Sequence, residues 1–581
     1  MNTEIKAIQI IVSLLKQNNI SHIVISPGTR HVPLVHCVEM DSFFKCYSIV
    51  DERSAAYYAL GLSEELDEPV CFTCTSSTAS CNYMPAMQEA YERGIQLVAL
   101  TSDKGRYLRY HGLSQSIDQV NMYEPYCKYA VDTPIVNNSE DYWYCNRLVN
   151  EALLELNHHG KGPVQINFLE PLSIMQLSEF IDGDIPATRM ISRIEGNINW
   201  EHWAGVLASK KKILVVCGQY YKSNDILSKS LQQFFEVYNC AITYDNFSNV
   251  HGQGFLLSPL VGQTMNYKEI AQIQPDLVIT YGSKVYSDIM NCVFGKGVEQ
   301  WDINSEGRLF DSTKSLKYIF ECEPQLFFER VSIVNHNNNL EYCKQWERIC
   351  AYRSNDIQVY SNYYVAKNVI DSAPENTLIH ASVLNSMKFT NYCNLKEDTK
   401  AFGNICADGI DGALSTFMGQ ATGRESISLL VIGDLSFLYD LNAFQNCTNP
   451  NLRILIINNK AGGEFHYNIS KNRIETLDWH IAAAHHSILA NAMDLSNVIY
   501  LHASNKDELK AAIIEFYKPS DKPVVLEAFT DANSDGEYLR QFLGANNVLT
   551  GRAKISKTIR RLFGEKFMNS LKNNLNGLRK H

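Results

Sequence analysis

Two polar loop ends in the second half of the chain carry residues suited to binding a metal ion. Asp434 comes just after the apolar run 429–432, and Asn459 comes soon after the apolar run 454–457. Apolar runs of strand length that end in turn residues are typical of neighbouring parallel strands joined by a helix. Because ligands bind beyond the carboxyl ends of such strands, we expect the carboxylate and the amide oxygen to lie close together. Both are hard oxygen ligands that suit an octahedral Mg²⁺ with positions left for phosphate oxygens.

The same residues also have a plainer explanation, because an ordinary strand–helix–strand unit ends in polar loops as well. Gly433, Gly462 and Gly463 would let the backbone approach a bulky anion, but glycines are common in turns. The order of the two loop ends and the interval between them favour a phosphate and metal site. That interpretation requires a second half of the site elsewhere in the chain.

Short apolar runs, polar loops and helices alternate along most of the chain. This alternation, with its short connections, predicts an α/β fold of doubly wound parallel sheets. Strands are expected at 23–25, 46–50, 70–74, 97–101, 213–217, 241–244 and 277–281. Since 581 residues are too many for one core, we expect three such domains followed by a basic helical tail. The expected bounds are 1–185, 190–340, 350–549 and, for the tail, 550–581.

The bulk composition restricts the class of protein. Hydrophobic residues make up 45% of the chain and charged residues 20%, as in ordinary globular proteins. The formal net charge of −11 argues against nucleic-acid binding by the body of the chain. No uninterrupted apolar run in the sequence reaches the length that spans a membrane. The sixteen scattered cysteines are typical of reduced thiols, so we expect a cytoplasmic protein.

Several segments of the chain resemble one family of thiamine-diphosphate enzymes. They read SPGTRHVPL, DERSAAYYALGL, CTSSTASCNYMPAMQEA and SQSIDQ in the first half, and NSM and GIDGALSTFMG in the second. With the two loop ends described above, they resemble 2-succinyl-5-enolpyruvyl-6-hydroxy-3-cyclohexene-1-carboxylate (SEPHCHC) synthase of menaquinone biosynthesis. The resemblance implies a pyrimidine-binding domain, a central α/β domain and a diphosphate-binding domain, in that order.

The resemblance implies thiamine diphosphate and Mg²⁺ as cofactors. Glu52 matches the carboxyl that hydrogen-bonds the cofactor's pyrimidine nitrogen, which makes it the implied catalytic residue. In a largely buried site its pKa would be raised, whereas an acid stabilised at a helix N-terminus is the plainer alternative. The implied metal ligands are Asp434, Asn459 and the backbone carbonyl of Ala461. The other implied cofactor contacts are Asp408, Ile410, Gly433, Leu435 and Ser436.

The match to the family's substrate-binding positions is incomplete. Arg30, Gln115 and Ser386 match, whereas Thr29 replaces a serine and Lys104 replaces an arginine, which keeps the charge but loses the forked geometry. Three other positions lack the family's basic residues, and they hold Thr390, Ile405 and Asp288-Ile289. Because a buried carboxylate without a cationic partner is unfavourable, we expect substrates other than 2-oxoglutarate and isochorismate.

We therefore expect decarboxylation of a 2-oxo acid, with the acyl anion passed to an acceptor or released as an aldehyde. One alternative is SEPHCHC synthase itself. Another is a cofactor-binding scaffold without turnover, against which the presence of Glu52 argues. Residues that would create a new specificity, each with a structural role as its plainer explanation, are His31, Arg106, Arg109, His111, Lys388, Lys460, Glu464 and His466.

The resemblance also implies a homodimer or homotetramer. Glu52 and the diphosphate loops lie in different domains, which the family brings together across a subunit interface. The tail holds nine basic residues and one acidic residue between 552 and 580, with apolar residues on one helical stripe. It fits a helix packed on the body or on a neighbouring subunit. The alternative is contact with an anionic membrane or an acidic partner through residues 552–581.

Overall fold

A computed structural model of the protein describes residues 2–169, 180–181, 183–220, 224–282, 289–293, 295, 297–333, 339–396, 398–469, 474–493 and 495–547. The chain forms two compact units, of which the first comprises residues 1–195 and 307–319. The second comprises residues 196–306 and those from 320 onward. Three parallel α/β sheets are present, which confirms the predicted fold class. The predicted basic tail lies outside the described residues, and the expected domain bounds stay predictions.

The first unit contains a six-stranded parallel sheet. Its strands in spatial order are Lys45–Ser48, His22–Ile25, Val70–Cys74, Leu97–Asp103, Val164–Leu169 and Tyr129–Asp132. Its helices are Lys6–Gln17, Val32–Glu39, Glu52–Leu66, Thr78–Cys81, Met84–Arg93 and Ser139–Leu154, with a 3₁₀ turn at Arg106–Leu108. The central strands are buried on both faces, as expected for a sheet covered by helices. The first strand is shorter than predicted because it is an exposed edge strand.

The first unit also contains the antiparallel pair Asn2–Thr3 and Phe180–Ile181 and the short strand Ser192–Ile194. The strand Leu316–Phe320 begins in this unit, and its last residue belongs to the second.

The second unit contains two parallel sheets. The central one has the strands Leu256–Leu257, Cys240–Tyr244, Ile213–Cys217, Leu277–Tyr281 and Glu299–Ile303 in spatial order. The helices around it are Trp200–Ala208, Asp225–Val237, Pro259–Thr264, Tyr267–Ile273, Ile289–Val293, Pro324–Val331 and Glu341–Cys350, with a 3₁₀ turn at Asn246–Ser248. All three strands predicted in this region are present within one residue of their expected ends.

The last sheet has six parallel strands. In spatial order they are Lys400–Phe402, Leu378–Ala381, Ser428–Gly433, Leu452–Asn458, Val524–Phe529 and Ile499–Ala503. Its helices are Asn362–Asp371, Asn385–Tyr392, Ala413–Gln420, Asp434–Tyr439, Gly463–Asn468, Lys506–Phe516 and Ala532–Asn546. Shorter turns occur at Leu441–Asn446, Leu477–Ile481 and Leu489–Ala492.

The register of this sheet places the two polar loop ends side by side. Ser428–Gly433 pairs in parallel with Leu452–Asn458, and Gly433 lies opposite Ile457. Both strands are almost entirely buried and apolar, so their position and direction are held by the core. The first polar residue after each strand therefore emerges at the same edge of the sheet.

The two sheets of the second unit are joined by hydrogen bonds from two asparagine side chains. Asn246 Nδ2 donates to the carbonyls of Thr390 (2.7 Å) and Cys393 (2.9 Å). Asn249 Nδ2 likewise donates to the carbonyl of Ala401 at 2.8 Å. These bonds hold the end of the helix Asn385–Tyr392, which carries residues of the site described below. Within the described part of the chain, every helix is too short or too polar to cross a lipid bilayer.

Candidate active site

A cavity of about 130 Å³ opens where the strands Ser428–Gly433 and Leu452–Asn458 end. Its wall includes most of the residues predicted for this unit. Those residues are Ser386, Ile410, Gly433, Asp434, Leu435, Ser436, Asn459 and Ala461. They come from four separate segments of the chain, which the last sheet brings to one edge.

Asp434 is held in this cavity by backbone donors. It is the first residue of the helix Asp434–Tyr439 and is only 3% exposed. The N–H of Leu435 donates to Oδ1 at 2.7 Å, and the N–H of Lys460 donates to Oδ2 at 2.6 Å. His485 Nε2 lies 3.3 Å from Oδ2. Burial raises the pKa of Asp434 despite these donors, so a cation at this carboxylate would stabilise its charged form.

Asn459 lies in a tight turn directly after its strand. The N–H of Ala461 donates to Asn459 Oδ1 at 3.1 Å, and Lys460 between them has the left-handed φ of 67°. The side chain of Asn459 is packed so closely that a Cβ at Gly463 would lie 2.5 Å from its Nδ2. A side chain at Gly463 would therefore force the Asn459 side chain to shift.

Gly433 has a different reason for being a glycine. A Cβ at this position would meet no described atom within 4 Å, and the residue lines the cavity. Its φ of −80° is accessible to any residue, so backbone strain does not require a glycine here. Ser436 Oγ donates to the carbonyl of Ile410, which joins the helix Asp434–Tyr439 to the neighbouring loop.

The donor set fits Mg²⁺ and a diphosphate group. A buried carboxylate and an amide oxygen emerge from adjacent loops, beside space that a methyl group would begin to fill. Ser386 is also buried here, and Ser382 Oγ donates to its hydroxyl at 3.1 Å. Asp408 lies outside the cavity wall, exposed and left-handed with a φ of 53°.

Glu52 lies in the first unit as the first residue of the helix Glu52–Leu66. Asp51 caps this helix by accepting the N–H of Ser54 at 2.8 Å, so Glu52 is not needed as the cap. Its side chain is half-buried, and Asn82 Nδ2 donates to Oε2 at 3.4 Å. Among the described residues, the hydrogen bond to Asn82 is the one recorded for this carboxyl, and its length leaves the carboxyl able to accept others.

Three predicted substrate residues of the first unit, Thr29, Arg30 and Lys104, follow two strands of its sheet that have Val70–Cys74 between them. Thr29 is exposed, and the half-buried Arg30 has a buried Nε with no hydrogen-bond partner among the described residues. Lys104 Nζ donates to the carbonyl of Ser114, and partial burial, then the charge of Arg30, lower its pKa. Ser76 Oγ donates to the carbonyl of Gln115 at 3.2 Å. Two cations and polar loops thus gather at this sheet edge.

Several candidates for a changed specificity have structural partners. Arg109 is buried between Asp103 (2.8 Å) and Asp118 (2.9 Å), and Arg106 pairs with Asp132 at 2.6 Å. Buried His31 lies 3.0 Å from Thr73 Oγ1, and burial lowers its pKa to about 4.

His466 Nε2 lies 3.0 Å from Asp478 Oδ1, and His111 and Lys460 are exposed. Lys388 and Glu464 pair with each other at the cavity. That pair is therefore the candidate set that the structure brings to the site.

Some residues of the cavity wall were not predicted. They include Asn362, Ser382 and Leu384. Leu384 has a φ of 64°, a costly conformation for leucine that is concentrated at functional sites. No feature of the sequence signals that strain, because leucine is ordinarily found at negative φ.

Comparison with known proteins gives one match within the first unit and others over most of the chain. A family model described as "Thiamine pyrophosphate enzyme, N-terminal TPP binding domain" matches residues 5–122. The chain is 31% identical over 560 residues to the SEPHCHC synthase of Bacteroides thetaiotaomicron, covering 93% of this chain and 99% of that protein. The chain belongs to the SEPHCHC synthase family. The predicted resemblance is thereby confirmed, and with it a thiamine-diphosphate enzyme.

Other similar proteins extend the comparison. The SEPHCHC synthase of Flavobacterium johnsoniae is 27% identical over 558 residues, covering 92% of this chain and 98% of that protein. A crystal structure of benzoylformate decarboxylase from Polynucleobacter necessarius is 16% identical with a TM-score of 0.43, covering 92% of this chain and 99% of that one.

Three positions of this SEPHCHC synthase family member lack the expected basic residues. The residues that the structure describes at these positions are buried. Thr390 is fully buried, and its hydroxyl donates to the carbonyl of Ser386 at 2.8 Å. Ile405 and Ile289 are also buried, while Asp288 lies outside the described residues. These buried side chains pack into the interior and offer no charge to a substrate.

Proposed function

We propose that the protein decarboxylates a 2-oxo acid with thiamine diphosphate and Mg²⁺ and passes the acyl anion to an acceptor or releases it as an aldehyde. The observation that carries this proposal is the cavity in which buried Asp434 and Asn459 flank the open space beside Gly433. Family membership and the match of residues 5–122 support the cofactor. When bound, thiamine diphosphate supplies a nucleophilic carbon that attacks the carbonyl of the acid.

The residues of the cavity would hold the cofactor by its charged end. Asp434, Asn459 and the carbonyl of Ala461 are the proposed Mg²⁺ ligands, and the metal would join them to the diphosphate oxygens. Gly433, Leu435 and Ser436 would border the diphosphate. Ile410 and the backbone of Asp408 would support the organic part of the cofactor. The backbone N–H groups of Leu435 and Lys460, which donate to the carboxylate of Asp434, orient it before a ligand binds.

Glu52 is the proposed catalytic residue. Its carboxyl would hold and share a proton at the pyrimidine nitrogen of the cofactor. Support comes from the match of Glu52 to the family's carboxyl and from its long hydrogen bond to Asn82, which leaves the carboxyl able to accept others. Its place in the first turn of the helix Glu52–Leu66 also fits the plainer alternative of an acid stabilised by the helix dipole. Arg30 and Lys104 would bind carboxylates of the substrates, with Thr29, Gln115 and Ser386 as hydrogen-bonding groups.

A panel of 2-oxo acids tests this proposal directly. The full-length protein with thiamine diphosphate and Mg²⁺ is expected to release CO₂ from at least one acid of the panel. Omission of either cofactor should stop the release. Cofactor binding without CO₂ release from any acid, with or without aldehyde acceptors, would favour the non-catalytic scaffold instead.

The second candidate function is SEPHCHC synthase itself. The observation that favours it is the identity of 31% over 560 residues with proteins that carry this name. An assay with 2-oxoglutarate and isochorismate separates the two candidates. Formation of the coupled product at a rate above that with every other acid would establish the second.

We propose a homodimer, or a tetramer of dimers, with Glu52 and Asp434 of each site supplied by different subunits. The family's arrangement supports this, and so does the position of the two residues in separate units of the chain. Mixing two inactive variants, Glu52→Gln and Asp434→Asn, tests it. Exchange of subunits should restore roughly a quarter of the activity, because one site in each mixed dimer is intact. A mixture that stays inactive after proven exchange would place both residues in one subunit's site.

All sixteen cysteines lie among the described residues, and each has a free thiol. This supports a reducing compartment, and we propose the cytoplasm. Small molecules are the proposed partners besides a second copy of the chain. Contact of residues 552–581 with an anionic membrane or an acidic partner stays an alternative to packing on the body, which binding of the full chain and a 1–551 truncation to anionic liposomes would decide.

A further inference from the structure

One serine of the first unit has a backbone conformation that ordinarily suits glycine. Ser77 has a φ of 75° and a ψ of −126°, and it lies between the strand Val70–Cys74 and the short helix Thr78–Cys81. A residue with a Cβ adopts this conformation only at a cost in free energy, whereas glycine adopts it readily. A glycine would satisfy the backbone with less strain, so the presence of a serine side chain needs a separate explanation.

Hydrogen bonds to buried groups hold Ser77 in this conformation. Its N–H donates to Gln119 Oε1 at 2.6 Å, and its carbonyl accepts the hydroxyl of Ser80 at 2.7 Å. Gln119 is fully buried, and its Nε2 donates to the carbonyl of Ser102 at 3.0 Å and to Asn167 Oδ1 at 3.1 Å. The interior of the first unit therefore maintains the strained backbone.

The hydroxyl of Ser77 is not used in this network. The hydrogen bonds that Ser77 makes with the described residues involve its backbone only, and just 8% of the residue is exposed. A largely buried hydroxyl is unfavourable unless a ligand or a water molecule bonds to it. The strained backbone thus fixes the position of a polar group whose hydrogen-bonding capacity the described part of the chain leaves open.

The loop that carries Ser77 lies in the middle of the sheet edge where the predicted substrate residues gather. Its strand, Val70–Cys74, pairs with the strand that precedes Arg30 on one side and with the strand that precedes Lys104 on the other. Burial, and then the positive charge of Arg30, lower the pKa of Lys104, so the two cations interact. A carboxylate bound by both cations would lie at this middle position.

Packing fixes the middle loop against the loops on both sides. A Cβ at Gly28 would lie 2.5 Å from the Cβ of Thr75, so the backbone of the first neighbour touches the middle loop there. On the other side, Ser76 Oγ donates to the carbonyl of Gln115 at 3.2 Å. The three loops are therefore in direct contact within one unit of the chain.

We propose that Ser77 is a substrate-binding residue whose hydroxyl donates a hydrogen bond to a carboxylate of the substrate, beside the cations of Arg30 and Lys104. This inference rests on the proposed function and adds a residue to its substrate site. Because the strained backbone presets the position of the hydroxyl, little freedom is lost when the substrate binds. A charged acceptor also makes this hydrogen bond stronger than one between neutral groups.

The variants Ser77→Gly and Ser77→Ala separate the hydroxyl from the strain, since both remove the hydroxyl but only glycine relieves the backbone. Full-length protein with thiamine diphosphate and Mg²⁺ is assayed with whichever of pyruvate, 2-oxobutyrate, benzoylformate and 2-oxoglutarate the wild type uses best. In both variants kcat/KM should fall by roughly tenfold or more, chiefly through a higher KM. The Ser77→Gly protein should nevertheless have a Tm roughly 1–4 °C above that of Ser77→Ala. A purely structural role would not lower activity in the less strained variant.

Asn19→Gly is the matched control for relief of strain. Asn19 is exposed, has a left-handed φ of 58° and precedes the strand His22–Ile25, at the opposite edge of the sheet. This substitution should leave kcat/KM unchanged. Titration calorimetry should give equal affinities for thiamine diphosphate in the wild type and all three variants. The phosphonate analogue of the chosen acid should bind the two Ser77 variants more weakly by the same factor as the loss in kcat/KM, without turnover.

The outcomes distinguish this inference from the function on which it rests. A folded Ser77→Gly protein with the kcat/KM of the wild type overturns the inference and leaves the decarboxylase intact. Equal losses of affinity for thiamine diphosphate and for the phosphonate also overturn it, since Ser77 would then act on the cofactor. Absence of CO₂ release from every acid, with no phosphonate bound by the wild type, overturns the proposed function and the inference together. Should Ser77→Ala fail to fold, Ser77→Gly decides, because glycine is unstrained in this conformation.

Discussion

The polar residues that follow strands in the second unit differ in burial and hydrogen bonding from those that follow strands in the first. Both follow parallel strands, yet Asp434 and Asn459 are only 3% and 8% exposed and accept hydrogen bonds from backbone N–H groups. In the first unit, Glu52 is half-buried and Thr29 is exposed. Arg30 Nε is buried without a partner among the described residues.

The difference indicates which half of the site one chain can complete. The proposed oxygen ligands of the second unit are oriented by backbone N–H groups, so a metal would bind there with little rearrangement. The groups of the first unit keep capacity for hydrogen bonds that the chain itself does not use. We therefore expect the cofactor's charged end to bind independently of the residues in the first unit.

The largest expected effect tests that independence at Glu52. Glu52→Gln should lower turnover by roughly 10²-fold to 10⁴-fold, since the carboxyl can no longer hold and share a proton. Affinity for thiamine diphosphate, measured by titration calorimetry, should change little. Asp51→Asn is the matched control, because an amide still accepts the N–H of Ser54. Full activity of the Glu52→Gln protein would remove this residue from the mechanism.

Asp434→Asn, in contrast to Glu52→Gln, should change the affinity for the cofactor. Loss of the charged ligand is expected to weaken binding of thiamine diphosphate with Mg²⁺ by roughly a hundredfold, because ligand charge sets the affinity for the metal. Calorimetry with and without Mg²⁺ measures this loss. Exposed Glu425 provides the control substitution Glu425→Gln. Equal affinity in the two variants would mean that Asp434 is not a ligand.

Gly433→Ala tests whether the open space in the second unit belongs to the cofactor. The added Cβ meets no described atom within 4 Å and φ is ordinary, so the free energy of unfolding should change by less than about 0.5 kcal/mol. Affinity for thiamine diphosphate should nevertheless fall by about tenfold. Gly544→Ala, on the exposed side of a helix, should stabilise slightly and leave affinity unchanged. Undiminished affinity in the Gly433→Ala protein would place the cofactor elsewhere.

The smallest expected effect concerns the support behind the cavity. Asp535 accepts the N–H of Asn362 at 2.8 Å, and burial raises the pKa of Asp535 to about 7. Between about pH 4 and pH 7 the folded protein holds a proton that the unfolded chain releases, so stability falls as pH rises. Asp535→Asn should lack this loss, which is at most about 1.4 kcal/mol per pH unit. Its Tm relative to the wild type should therefore increase from pH 5 to pH 8.

Exposed Asp521 provides the control for this measurement. Asp521→Asn should follow the wild type across the same pH range. A difference in Tm between wild type and Asp535→Asn that does not vary with pH would show that Asp535 is ionised alike in the folded and unfolded states.

Much of the fold follows from periodicity alone. The strands expected at 213–217, 241–244 and 277–281 were predicted within one residue of their ends, because continuous apolar runs bounded by turns have few alternatives in an α/β chain. The edge strand Lys45–Ser48 was less accurate, since an exposed edge imposes no apolar pattern. The cavity residues Asp434 and Asn459 were predictable because each lies within two residues of such a strand.

Other parts of the site had no local signal. Asn362 and Leu384 line the cavity, but their types and neighbours do not differ from those of ordinary loop and helix ends. The buried position of Thr390, and the bond from its hydroxyl to Ser386, depend on how a helix packs. Glu52 and Asp434 lie in separate units of the chain, so the proposed site that combines them has no local signal in the sequence.

The sequence alone determined the family, the order along the chain of the strands that carry the site residues, and the identity of the loop residues that follow them. These features depend on neighbours along the chain. Only the tertiary structure decided that Lys388 neutralises Glu464, a residue 76 positions away. It likewise decided that Gly433 borders empty space while Gly463 is pressed against Asn459. The physical reason is that contacts between remote segments are set by packing of side chains in three dimensions, for which sequence separation carries no information.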